Sequence, residues 1–243
     1  MIGHGKAGTA GYVLALDTAT TRCVVALGRL DGGLETETAW AAGHRHGETL
    51  LPSIDRMLVG RDLGRADLAA IIVGTGPGAF TGLRVGIATA KGIAHGLGRP
   101  LIGVGTGQAV LSAAAALDGL PLERHVLLLP AGPNDRVLVT PHDAPALVAG
   151  GTDPDLRADA VVVALDLAGR APADALERGE AARGRLGAEL VRIGAVRLAA
   201  LGTGGRSVSA PTDGLAELVP EYVTLPRGVR QSGGEVAWSR DPR

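Results

Sequence analysis

A mixed α/β fold, with an antiparallel meander extended by parallel strands, follows from three features of this 243-residue chain. Three β-type runs stand in succession near the start, strand-like and helix-like segments alternate after them, and a glycine-rich loop joins one such strand to its helix. The first two runs, Tyr12–Leu16 and Cys23–Leu27, are separated by D-T-A-T-T-R, and the third, Leu34–Ala41, follows the turn signal Asp31-Gly32-Gly33. Gly47–Val59 places Leu51, Ile54 and Leu58 on one helical face, with Pro52 expected near the first turn, where its missing donor costs little. Strand Ala69–Val73, helix Thr81–Leu97, strand Leu101–Val104 and an alanine-rich helix near Gln108–Leu117 complete the order βββαβαβα.

That order fits the ribonuclease-H-like lobe of sugar kinases, actin and the heat-shock ATPase chaperones, the actin-like ATPase (ASKHA) fold with two lobes and mixed sheets. The second half is less legible and is expected to be a degenerate copy. Val126–Leu129, Arg136–Thr140 and Ala160–Leu165 read as strands, Leu186–Leu201 as a helix closed by Gly202, and Gly151–Arg157 and Gly169–Arg185 as connections or weak helices. The expected division is 11–118 for the first lobe, 119–226 for the second and 227–243 for a polar, frayed tail.

Composition narrows the function. An apolar content of 46% supports a sizeable core, but only five aromatic residues are present, so stacking of bases is a poor route to nucleic acid. A formal charge of −1 supplies no basic field for a phosphate backbone, and any RNA is expected to be held by another subunit. Cys23 is the only cysteine, no signal-peptide core precedes Tyr12, and no apolar run approaches a membrane span. A cytoplasmic location without membrane contact is the expectation.

The loop G-T-G-P-G-A-F-T-G (Gly74–Gly82) invites a phosphate-binding reading, because N–H groups and the helix dipole attract anions there. It lacks the lysine and Ser/Thr of a P-loop and does not spell G-x-G-x-x-G. Asp17, Thr18 and Thr20 stand where ATPases of this fold grip phosphate and Mg²⁺, but Ala19 replaces the usual glycine and hinders close approach. The matching loop of the second half, Pro130-Ala131-Gly132-Pro133, offers neither carboxylate nor hydroxyl, and its prolines remove two donors. Gly204-Gly205 is a weak imitation of an adenosine-binding pair. His44 and His46 have no third ligand at metal spacing, and there is no nucleophile elbow, which disfavours a peptidase.

Small residues recur along the helix after the loop, in one row of Gly82, Gly86 and Ala90 and another of Gly92 and Gly96. Glycine inside a helix costs up to about 1 kcal/mol against alanine, so close packing must compensate. Gly82 and Gly92 are separated by about 1000° of rotation, roughly 80° short of realignment, so the rows do not share a face. One row is expected to pack internally and the other to meet a second protein. Gly82, Gly86 and Ala90, with Leu51, Ile54 and Leu58, are the expected interface, and Gly86→Leu is expected to break association while sparing the fold.

L-A-L-D-T-A-T (Leu14–Thr20), H-G-E-T-L-L-P-S-I-D-R-M-L (His46–Leu58), G-T-G-P-G-A-F-T-G-L-R-V-G (Gly74–Gly86) and P-L-I-G-V-G-T (Pro100–Thr106) resemble the TsaB family of bacterial tRNA threonylcarbamoyladenosine synthesis. The second half departs from it: Pro130–Leu138 stands where the family commonly has D-A-R-x-x-E-V-Y, and Thr224 stands where P-x-Y-L-R ends in arginine. The resemblance implies a non-catalytic, cofactor-free subunit that pairs with a TsaD-type transferase, which acts on the adenosine beside the tRNA anticodon. It also implies a TsaE-type ATPase in the assembly and contact with tRNA only through the complex; an exposed apolar helix pair leaves self-association of the isolated chain through the same helices open. A stand-alone ATP-dependent enzyme is the alternative reading, favoured by Asp17.

Overall fold

The computed structural model describes residues 11–41, 43, 46–203, 218–223, 229–232 and 235–238. Its first sheet contains β1 (Tyr12–Asp17), β2 (Arg22–Arg29), β3 (Leu34–Ala41), β4 (Leu68–Gly74) and β5 (Leu101–Val104) in the order β3-β2-β1-β4-β5. The β1–β2 and β2–β3 pairs are antiparallel, whereas β1–β4 and β4–β5 are parallel. A parallel neighbour needs a crossover, and α1 (His46–Val59) and α2 (Phe80–Leu97) provide the two. α3 (Thr106–Asp118) then leads to the second sheet.

Strands β1, β2 and β4 read as unbroken apolar runs because both of their faces are buried. Leu14, Leu16, Val25, Leu27, Ile71 and Val73 face α1 and α2, meeting Leu50, Ile54, Leu58, Ile87, Ala90 and Ala94. Val13, Ala15, Val24, Ala26, Ala70 and Ile72 face the opposite way, into a core shared with the second sheet. Pro52 is a correction: it lies in the interior of α1, past the first turn, so the Glu48 carbonyl cannot receive the usual helical hydrogen bond from it.

The second sheet contains β6 (His125–Ala131), β7 (Asp135–Val139), β8 (Ala146–Val148) and β9 (Val161–Ala164), ordered β8-β7-β6-β9. Two antiparallel pairs and one parallel pair repeat the arrangement β3-β2-β1-β4 of the first sheet. No helix forms between β8 and β9, and no fifth strand joins this sheet among the described residues. The protein is therefore a two-lobed α/β structure of actin-like type, with a degenerate second lobe.

Two helices follow β9. α4 (Ala173–Arg183) occupies part of the stretch expected to be a connection or weak helix, and α5 (Leu186–Thr203) runs through Gly202 instead of closing there. α5 belongs to the second half of the sequence but packs across the first sheet, contacting all five of its strands. Within the tail, Val229–Ser232 (β10) and Glu235–Trp238 (β11) pair as an antiparallel hairpin, so this part of the frayed tail is ordered as strands. Among the described residues no helix is long and apolar enough to cross a membrane.

Candidate functional site

The turn after β1 is sealed by its own hydrogen bonds. Asp17 is completely buried; its Oδ1 accepts the Ala19 N–H at 2.8 Å and its Oδ2 accepts the Thr106 hydroxyl at 2.5 Å. The same Thr106 oxygen accepts the Gly76 N–H at 3.1 Å, which ties the glycine loop into the network. Gly74 is required at the contact, since a Cβ there would lie 1.8 Å from Asp17 Oδ2. Burial pushes the Asp17 carboxyl above its ordinary value, against the lowering pull of Thr106 and Ala19. Thr18 donates to the Gly82 carbonyl at 2.7 Å and Thr20 to the Arg22 carbonyl at 3.2 Å. Thus the three residues expected to grip phosphate bond to the protein's own backbone and to Thr106.

Between the lobes lies a cleft of about 640 Å³, lined by Ala19, Thr21, Phe80, Val85, Leu129 and Asp166 among others. Among the described residues no lysine or arginine lines it, so none of these supplies a triphosphate with a counter-charge. At the mouth of α2 the Ala79 N–H is already given to the Ala19 carbonyl at 2.7 Å, leaving one fewer donor for an anion. Across the cleft, Arg170 donates to the Gly132 and Pro133 carbonyls at 3.0 and 2.9 Å, which fixes the proline-containing loop. Asp166, the one carboxylate lining the cleft among the described residues, is also engaged. It accepts the Thr21 N–H and hydroxyl at 2.9 and 2.6 Å and the Arg183 guanidinium at 2.8 Å, and so latches one lobe to the other. The cleft has the position of a nucleotide site, and its described polar groups Asp166, Thr21 and the Ala79 N–H are engaged within the protein.

The two small-residue rows fall opposite to the sequence expectation. Gly82, Gly86 and Ala90 are buried, and a Cβ on Gly86 would approach Thr18 Oγ1 to 2.2 Å, so this row packs on the chain's own β1–β2 turn. Gly92 and Gly96 are exposed and a Cβ on either would meet nothing within 4 Å. They border an apolar groove of about 590 Å³ between α1 and α2, together with Leu51, Ile54, Leu58 and Ile93. Leu51 is 47% exposed, whereas Ile54 and Leu58 at 2% form the groove floor and serve the core as well.

The sequence gives no warning of a cluster that joins two distant segments. The Arg84 guanidinium lies 4.0 Å over the Phe80 ring, Arg84 Nε donates to the Tyr222 hydroxyl at 3.1 Å, and the two rings sit 4.9 Å apart. The signal available was that both segments belong to the resemblance: Phe80 and Arg84 to the loop motif, Tyr222 to the late Pro-x-Tyr. Among the described residues there is no group of three His, Cys, Asp or Glu able to hold a metal. His44 and Gly204-Gly205 lie outside the described residues, and burial together with the Asp17 charge pushes the Cys23 thiol up to about 11.

Fold and site together define a member of the actin-like superfamily whose phosphate turn is closed by its own side chains. The chain belongs to the TsaD family, whose model, described as tRNA N6-adenosine threonylcarbamoyltransferase, matches residues 40–175, and within it the chain is TsaB-like. It is 41% identical over 105 residues to the tRNA threonylcarbamoyladenosine biosynthesis protein TsaB of Haemophilus influenzae, covering 43% of this chain and 44% of that one. The Escherichia coli TsaB is 39% identical over 94 residues, covering 39% of this chain and 40% of its own. The tRNA N6-adenosine threonylcarbamoyltransferase of Moorella thermoacetica is 33% identical over 138 residues, covering 56% of this chain and 39% of its own. The matches thus span less than half of each of these relatives. A solved Pseudomonas aeruginosa structure, described as an uncharacterized protein with similarity to peptidase YEAZ, superposes with TM-score 0.50 and 28% identity, covering 57% of this chain and 67% of that one.

Proposed function

We propose that this chain is a non-catalytic subunit that pairs with a TsaD-type transferase through α1 and α2 and supports N6-threonylcarbamoylation of the adenosine beside the tRNA anticodon. The observation that carries this reading is the contrast between two surfaces. The phosphate turn is filled by Asp17, Thr18 and Thr106, while the α1–α2 groove is open and apolar. In the same reading a TsaE-type ATPase joins the assembly, tRNA is reached only through the complex, the work is cytoplasmic, and the free chain self-associates through the same groove.

Co-expression with the transferase of the same genome tests it. A stable complex, threonylcarbamoylation that needs both chains, and no ATP turnover by this chain alone are the expected results. Brisk ATP hydrolysis by the isolated chain, abolished by Asp17→Ala without loss of folding, would favour the stand-alone ATP-dependent enzyme instead.

A further inference from the structure

We infer that Arg84 is a carboxylate receptor at one end of the α1–α2 face, held in position by Tyr222, and that the partner docked there presents an aspartate or glutamate to it. The inference rests on the proposed pairing through α1 and α2.

Its first support is continuity. Arg84, Ala88, Gly92 and Gly96 recur every four residues and are all exposed, so each touches the next in a row that winds around α2 by about 40° per step. Ala88, Gly92 and Gly96 border the groove, and Arg84 lies one turn beyond Ala88, about 40° around the helix from it. A partner seated over the Ala88 end of the groove therefore lies one helical turn from Arg84.

The second support is unused capacity. A guanidinium has five N–H donors, and Arg84 commits Nε to Tyr222 at 3.1 Å; its other donors have no acceptor, and it makes no ion pair, among the described residues. Stacking on Phe80 fixes the plane of the group, which lowers the ordering cost of two parallel bonds to a carboxylate.

The third support is the anchoring of Tyr222. Neighbouring Glu221 donates its N–H to the Thr75 carbonyl at 2.8 Å, and Leu218 and Val223 pack into two different hydrophobic cores. A strap fixed at three points thus holds the phenol that orients Arg84. Such pre-organisation would be idle for an arginine that only meets water.

Binding of the full chain to the same-genome TsaD-type transferase, measured across a salt series, tests the inference. Arg84→Glu is expected to weaken pairing by at least about tenfold and to flatten its salt dependence, and Arg84→Lys to recover only part of the loss. Tyr222→Phe keeps the ring against Phe80 but removes the hydroxyl, and is expected to weaken pairing severalfold with an unchanged melting temperature. Gly92→Trp, which fills the groove at a position with open space, separates the two readings. If Gly92→Trp abolishes pairing while Arg84→Glu leaves both affinity and salt slope unchanged, the receptor role is overturned and the groove stands. If neither change affects pairing, the docking face itself is wrong. If Arg84→Glu disturbs only self-association, the occupant is a second copy, and the assignment to the transferase is overturned.

Discussion

The Thr106 hydroxyl donates a 2.5 Å hydrogen bond to Asp17 Oδ2 across 89 residues of sequence, joining the end of β1 to the first turn of α3. Both groups are buried, and the carboxylate also accepts the Ala19 N–H, so Asp17 is a pin in the fold. Asp17→Ala leaves Ala19 N–H and Thr106 Oγ1 without their acceptor and is expected to cost about 1–3 kcal/mol for each stranded group, read by urea denaturation. The sign of the pH effect follows from the raised carboxyl value. The folded state holds the proton more tightly, so Asp17's contribution is complete below its ordinary value near 3.8 and declines as pH rises from there through the raised value. Asp17→Asn should remove that decline; the same pH slope in both proteins would contradict it.

Gly86 and Gly92 should respond in opposite ways to the same change. A leucine at Gly86 drives its Cβ to 2.2 Å from Thr18 Oγ1 and should destabilise the isolated chain by roughly 1–3 kcal/mol or more. At Gly92 a leucine meets open space and should raise helix stability by up to about 1 kcal/mol while weakening partner pairing. Thermal melts of the free chain, set beside pull-down of the transferase, read both effects. A Gly86→Leu protein as stable as the parent would contradict the inward placement of that row.

Much of the first lobe was legible because β1, β2 and β4 carry continuous apolar runs, and α2 and α3 end at Gly98 and Gly119, both with positive φ. α4 was less legible because it buries Ala175, Gly179 and Ala182, residues too small to make an apolar stripe stand out. β8 was missed because it is three residues long and two of them are exposed. The docking of α5 on the first sheet is a tertiary choice that no local pattern encodes. At the site, the two glycine rows have the same spacing, and only the position of the β1–β2 turn decides which of them is covered. Arg84 and Tyr222 are 138 residues apart, beyond the reach of any local motif.

Asp118 and His125 close the passage from α3 into the second sheet and set part of the acid stability. His125 is buried, with Nε2 2.8 Å from Asp118 Oδ2 and Nδ1 3.0 Å from the Pro121 carbonyl. Burial alone would raise the Asp118 carboxyl, but the His125 and Leu120 hydrogen bonds, with the nearby charges of His125 and Arg178, bring it below its ordinary value. A lowered carboxyl contributes stability that is present above the ordinary value near 3.8 and is lost as pH falls through the folded value. Asp118→Asn should therefore flatten the acid limb of the stability profile below about pH 4. Parallel acid limbs for parent and variant would count against this role.

Arg183 and Asp166 form an ion pair within the second lobe, at the point where Thr21 of the first lobe meets the same carboxylate. Their side chains are 9% and 11% exposed, and Thr21 of the first lobe donates two hydrogen bonds to the same carboxylate. Removing the arginine strands a mostly buried anion, so Arg183→Met should cost about 3–5 kcal/mol, well above the value of an exposed pair. Asp166 has φ +57°, which asparagine tolerates better than most residues, so Asp166→Asn is the matched change. The Arg183→Met/Asp166→Asn double variant should be more stable than Arg183→Met alone, because it no longer buries a charge. A double-mutant cycle by urea denaturation measures the coupling. Strict additivity would mean that the arginine and the carboxylate are not coupled in the folded protein.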